Sequence, residues 1–214
     1  MKKEQIHIRD PFILSDEGKY YLYGSRGEEC WGKCSGLDVY LSEDLESWSD
    51  SHECFTRPEN FWSDMNFWSP EVHKYKNKYY MFVSFKSEDR HRGTQILVAD
   101  NPMGPFGLHS DGPVTPPDWE CLDGTFYVDK NNTPYIVFCH EWTQVSDGEI
   151  CAMKLSDDLK ESIGNPIELF KASSFAKKSS VKGDGNYVTD GPFLYRRMGM
   201  ALRNCGRDIL FSAC

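Results

Sequence analysis

Asn66-Phe67-Trp68-Ser69-Pro70-Glu71-Val72-His73, running on through Lys74-Tyr75-Lys76-Asn77-Lys78-Tyr79-Tyr80-Met81-Phe82-Val83-Ser84-Phe85, sets one carboxylate between an aromatic pair and a two-strand signal. Residues 69–75 read as a strand, 76–78 as a tight turn, and 79–85 as a second strand rich in aromatics. An antiparallel pair with a short turn brings the start of the first strand beside the end of the second. Glu71 is therefore expected at the same sheet edge as residues 84–86.

The unit recurs. Residues 7–14 and 19–25 form a similar pair around Asp16-Glu17-Gly18, with a further strand at 37–42. The opening stretch has its third strand at 94–99. A third unit runs from Leu122-Asp123-Gly124-Thr125 through 134–142 to 149–155, and a fourth opens at Val188-Thr189-Asp190-Gly191-Pro192. Each is headed by an acid: Asp10, Glu71, Asp123 and Asp190, separated by 61, 52 and 67 residues. A three-to-four-stranded meander at this period predicts an all-β chain of β-propeller blades. An immunoglobulin-like sandwich would give evenly spaced strands without a fixed acid at the head of each group.

In a propeller the first strand of each blade lines the central channel. The four acids then converge at one mouth. The ends of the second strands reach the same edge, bringing Ser25-Arg26 and His140-Glu141-Trp142 towards it. Carboxylates for chemistry and ring faces for stacking suit a sugar. Candidate catalytic residues are Asp10, Glu71, Asp190 and Glu141; candidate substrate contacts are Phe67, Trp68, Asp123, His140, Trp142 and Arg26. Structural alternatives stay open for several: Asp-Gly and Asp-Pro as turn signals, Glu141 as acceptor for strand-end amides, Trp68 and Trp142 as core fillers, His73 and His140 as hydrogen-bonded structural groups.

Composition is consistent with this reading. A net charge of −9 and a pI near 5.2 argue against nucleic acid or an anionic membrane as partner, and 14% aromatic content in an acidic chain suits a neutral ligand. No cofactor is required; a calcium or sodium ion in the channel is left open. Eight cysteines at irregular spacing (30, 34, 54, 121, 139, 151, 205 and 214) read as reduced, partly buried thiols, with zinc at Cys30, Cys34, His52 and Cys54 as the alternative. Met1-Lys2-Lys3-Glu4-Gln5 leads into a strand without an apolar signal core, and no apolar run reaches about 20 residues. A cytoplasmic location is expected, or a secreted or periplasmic one if a leader has been trimmed.

Arg9-Asp10-Pro11, Trp68-Ser69-Pro70-Glu71-Val72-His73, Leu122-Asp123-Gly124-Thr125 and Thr189-Asp190-Gly191-Pro192-Phe193-Leu194-Tyr195 together resemble glycoside hydrolase family 43. The resemblance implies a five-bladed propeller acting on arabinofuranosyl or xylosyl linkages of plant polysaccharides with inversion. It implies Asp10 as general base. It gives Glu71 the place of the acid that tunes and orients the proton donor, and Asp190 the place of that donor. The family usually has Asp at the former and Glu at the latter, so Glu141 is a second candidate donor. A carbohydrate-binding propeller without activity, or a gene fragment, is the competing reading.

A five-bladed ring needs about 300 residues at this period. The sequence accounts for some three and a half blades over residues 1–195, and residues 196–214 show no second-strand alternation, so a truncated or frame-shifted tail is expected. An open propeller would expose strand edges that favour self-association.

Overall fold

The computed structural model describes residues 1–174, 186–196 and 209–212. Three four-stranded antiparallel meanders follow one another along the chain. The first comprises β1 (Ile8–Asp16), β2 (Lys19–Arg26), β3 (Gly36–Ser42) and β4 (His52–Thr56). The second comprises β5 (Met65–Tyr75), β6 (Lys78–Lys86), β7 (Gly93–Ala99) and β8 (Gly107–Pro113). The third comprises β9 (Cys121–Val128), β10 (Pro134–His140), β11 (Glu149–Leu155) and β12 (Ser162–Lys171), with a single helical turn, α1 (Trp142–Val145), after β10. β13 (Phe193–Arg196) then pairs with β14 (Ile209–Ser212). The innermost strands stand side by side: β1 against β5, β5 against β9, and β9 against β13. This is the all-β propeller arrangement, with the first strand of each sheet at the centre.

Packing follows the two-residue period of a strand. On β6, Tyr79, Met81, Val83 and Phe85 join Tyr23, Val39 and Phe55 in a core against the first sheet. The alternate residues Tyr80 and Phe82 join Ile136, Phe138 and Met153 against the third. β6 is apolar on both faces because it is buried between two sheets. β10 repeats this, with Ile136 and Phe138 on one face and Val137 and Cys139 on the other, the latter pair packing towards Leu194. Strands β8 and β12 are largely exposed, and no apolar alternation marked them in the sequence.

Three expectations change. The second strand of the third unit stops at His140, and Trp142 begins α1. The fourth unit becomes a strand only at Phe193. The segment after Tyr195 supplies a strand after all, since Ile209–Ser212 pairs antiparallel with Phe193–Arg196. Residues 197–208 and 213–214, including Cys205 and Cys214, lie outside the described residues. Cys30, Cys34, Cys54, Cys121, Cys139 and Cys151 are free and buried. Cys34 and Cys54 donate to the carbonyls of Gly36 and Leu37. Among the described residues no group of three or more His, Cys, Asp or Glu side chains is arranged to hold a metal.

Candidate active site

The same bulge opens all three inner strands. Arg9 pairs with Ser25 and Phe12 with Tyr23, leaving Asp10 and Pro11 opposite the single residue Gly24. Trp68 pairs with Ser84 and Glu71 with Phe82, leaving Ser69 and Pro70 opposite Val83. Leu122 pairs with Cys139 and Thr125 with Val137, leaving Asp123 and Gly124 opposite Phe138. The first bulged residue is left-handed each time, with φ of 50° at Asp10, 47° at Ser69 and 54° at Asp123. Short polar side chains tolerate that region better than most. In the fourth unit Gly191 takes the left-handed position, with φ of 39°.

This register corrects the assignment of Glu71. Ser69, not Glu71, is the counterpart of Asp10 and Asp123. Glu71 corresponds to Phe12 and Thr125, two residues deeper in the channel, and opposes Phe82 rather than residues 84–86. There its Oε2 accepts a 2.6 Å bond from Thr125 Oγ1 and lies 3.1 Å from His73 Nε2.

The bulges are stitched to one another. Ser25 Oγ, fully buried on β2, donates to Asp10 Oδ2 over 3.1 Å and accepts the N–H of Ser69 at 3.0 Å. Ser84 Oγ on β6 accepts the N–H of Asp123 at 2.9 Å. Asp123 Oδ2 accepts the N–H of Gly191 at 3.0 Å. A Cβ on Gly124 would meet the Thr94 side chain at 2.7 Å, and the glycine instead donates its N–H to Thr94 Oγ1. The second and third bulges are thus each fixed by a serine of the blade before, and Gly191 by Asp123 of the third.

Three carboxyls gather on this stitching. Asp123 is buried, and its carboxyl is pushed up to about 7 by that burial and by the adjoining Asp190 side chain, against smaller opposing contributions from Gly191 N–H and Ser69. Asp10 is raised by burial and by the charge of Asp123, while Ser25 and Arg9 act to lower it. Asp190 is exposed beside Asp123. The arrangement combines the accessible carboxylate of Asp10 with a buried carboxyl, Asp123, that holds its proton towards neutral pH.

The remaining candidates divide. Trp68 stays at the mouth: Arg92 stacks 4.1 Å above its ring, and its Nε1 donates to the Cys30 carbonyl at 2.5 Å. Glu141 also lies near the mouth, but its Oε2 is 2.5 Å from Arg92, which is buried. Trp142 is half-buried on α1. Phe67 is a correction: it is 1% exposed, packed among Phe55, Phe61 and Phe85, and has no face for a ligand. Arg26 is a second, because its guanidinium turns outward to Asp38 on β3 and Glu53 on β4, both at 2.7 Å. His140 is a third, stacked 4.0 Å from Trp119 and held by Glu149 and Gln144 at 2.9 Å each.

Ser69, Arg92 and Trp31 escaped the sequence reading, and Ser25 was brought to the mouth without its role in holding Asp10 and Ser69. The repeated Asp10-Pro11 and Ser69-Pro70 pairs were the available signal for the bulges, since proline inside a strand marks an irregularity. Beside the mouth, Glu120 shows how charge is balanced on this rim. Burial works to raise it, yet bonds from Lys86, His91 and the Arg92 N–H prevail and hold it at about 2.

Known proteins match this chain in sequence and fold. The model of glycosyl hydrolases family 43 matches residues 5–202. The structure of an endo-arabinase from Bacteroides thetaiotaomicron VPI-5482 is 39% identical and superposes with a TM-score of 0.83, over 92% of this chain and 68% of that one. A thermostable family-43 glycoside hydrolase is 26% identical with a TM-score of 0.74, over 90% of this chain and 61% of that one. Among curated proteins, extracellular endo-alpha-(1->5)-L-arabinanase 1 of Bacillus subtilis (strain 168) is 23% identical over 64% of this chain. That match covers 45% of the arabinanase, so this chain spans under half of it. The bulge-borne acids, the three consecutive four-stranded sheets and the match over residues 5–202 lead to one assignment: the chain belongs to glycosyl hydrolase family 43.

Proposed function

We propose that this chain carries the catalytic mouth of a glycoside hydrolase that cleaves arabinofuranosyl linkages in plant polysaccharide or its oligosaccharides, with xylosyl linkages as the second choice. The observation that carries the reading is the stitched set Asp10–Asp123–Asp190. Asp10, accessible and oriented by Ser25, activates the attacking water. Asp123, pushed up to about 7, holds a proton towards neutral pH, and Asp190, its exposed neighbour, takes the place of the donor to the leaving oxygen. Asp123 rather than Glu71 then does the tuning, because Asp123 is the carboxyl coupled to Asp190. In an inverting reaction base and donor stand roughly 6.5–9.5 Å apart to admit water. Two of the similar proteins named above are arabinanases, which favours arabinose over xylose.

The location is proposed on the same footing. Six free buried thiols fit a reducing compartment, while the Bacillus subtilis relative is extracellular. No helix among the described residues is long and apolar enough to cross a membrane.

The test is hydrolysis of linear arabinan, xylan and their nitrophenyl glycosides by the wild type and Asp10→Asn. Release of sugar by the wild type alone supports the reading. Equal release by both removes Asp10 as base. Sugar binding without release by either favours a binding module.

A further inference from the structure

Trp31 is 69% exposed, the most exposed of the large apolar side chains described. A lone exposed ring is ordinary on a protein surface. This one is unusual in how firmly it is held. Cys30 and Cys34, at the two ends of its loop, are buried. The Cys30 carbonyl accepts from both Trp68 Nε1 and Asn66 Nδ2. Gly32 accepts from the Asn66 N–H, and the Cys34 N–H donates to Asp64. Lys33 bridges Met65 through the main chain and pairs with Asp64 at 3.0 Å. A loop of five residues is therefore fastened at three of them to the strand that carries Trp68 and Ser69 and at a fourth, Cys34, to Asp64 just before it, and the fifth is presented to solvent.

The ring's surroundings place it on the mouth. Its edge contact is Trp68, with centroids 5.3 Å apart and planes at 76°. Arg9, the residue before Asp10, lies 5.1 Å from its centroid. From Asp10 the rim thus continues through Arg9, Trp31 and Trp68 to Arg92. A rigid aromatic face loses little conformational entropy on binding, and its ring surface matches the apolar C–H face of a sugar.

We propose that Trp31 is a stacking platform for a sugar ring of the substrate chain, beyond the two units joined by the cleaved bond. It makes the mouth select for oligomers over single glycosides. This rests on the assignment of the mouth as a pentosan-cleaving site, since it names the part of that substrate the ring would hold.

The experiment compares wild type, Trp31→Ala and Trp31→Phe on nitrophenyl arabinofuranoside and on linear arabino-oligosaccharides of increasing length. Tryptophan fluorescence titration with the same oligosaccharides, and with xylo- and galacto-oligosaccharides, is run in an Asp10→Asn background. The expected result for Trp31→Ala is a loss of about tenfold in kcat/KM, carried mainly by KM, on the longer oligosaccharides, with the aryl glycoside changed less than about twofold. Trp31→Phe should recover most of the loss, and the melting temperature should hold in both variants because the ring is in water. Equal losses on short and long substrates, or none on either, overturn the platform while leaving the arabinan reading intact. Trp31-dependent binding of another sugar chain, with no arabinan or xylan turnover, upholds the platform and overturns that reading. Wild type that neither binds nor cleaves any of these chains overturns both.

Discussion

The main-chain N–H of Gly191 donates to Asp123 Oδ2 over 3.0 Å, and so sets Asp190 against a carboxyl that burial keeps protonated towards neutral pH. The bond spans two blades and 68 residues of sequence. It couples assembly of the fourth unit to the ionisation of the third. A carboxyl pushed up to about 7 binds its proton more tightly folded than unfolded. Its stabilising contribution is whole below the unfolded value of about 4 and fades as pH rises through about 7. Asp123→Asn removes that dependence. Thermal melts from pH 4 to 8 should show the wild type falling relative to Asp123→Asn across the interval. Parallel curves for the two proteins would show that Asp123 does not titrate there.

Ser25 carries two bonds on one hydroxyl, donating to Asp10 and accepting from Ser69. Ser25→Ala leaves the half-buried Ser69 N–H without its partner, which costs about 1 kcal/mol of stability. It also removes a hydrogen bond that lowers Asp10. Asp10 then rises, and because a general base works ionised, the acid limb of kcat/KM should move to higher pH. A pH–rate profile with an unmoved acid limb would separate Asp10 from that limb.

Much of this fold was legible because its strands sit between sheets. The run Tyr79-Tyr80-Met81-Phe82-Val83 buries both faces, so its apolar character is continuous and its ends are sharp. The outer strands β8 and β12 bury little and left no periodic trace. The acids were found, but their alignment was not. A bulge sets two residues against one and shifts everything beyond it, so Glu71 seemed to stand level with Asp10 when Ser69 does. Phe67 and Trp68 are neighbours in an aromatic pair, yet strand alternation sends one into the core and the other to the mouth. That distinction needed the register. Trp31 was invisible because nothing in a loop of cysteines and glycines foretells which residue its hydrogen bonds will leave outside.

Glu71 lies just below the bulge, two residues on from Ser69, engaged by Thr125 and His73 rather than by Asp10 or Asp190. Glu71→Gln should keep the Thr125 contact and reduce kcat by less than about tenfold, whereas Asp10→Asn, which removes the base, should cost about a hundredfold or more. Steady-state kinetics of the two variants on arabinan decides it. Equal losses would return Glu71 to the centre of the reaction.

Asp190 and Glu141 remain the two candidates for the proton donor, and their neighbours predict opposite behaviour. Asp190 is exposed and adjoins Asp123. Glu141 is only 2.5 Å from Arg92, so it serves as the counter-charge that a buried guanidinium requires. A missing donor matters most when the leaving group is a poor one, such as a sugar hydroxyl, and least for nitrophenolate, which departs unprotonated. Asp190→Asn should therefore lose far more activity on oligosaccharides than on nitrophenyl arabinofuranoside. Glu141→Gln should lower both alike. It should also destabilise the fold by about 1–3 kcal/mol, because buried Arg92 loses its 2.5 Å partner and keeps only Glu120 at 3.9 Å. Denaturant unfolding reads the second effect and the ratio of the two substrates reads the first. A leaving-group-dependent loss in Glu141→Gln, with none in Asp190→Asn, would transfer the donor's role to Glu141.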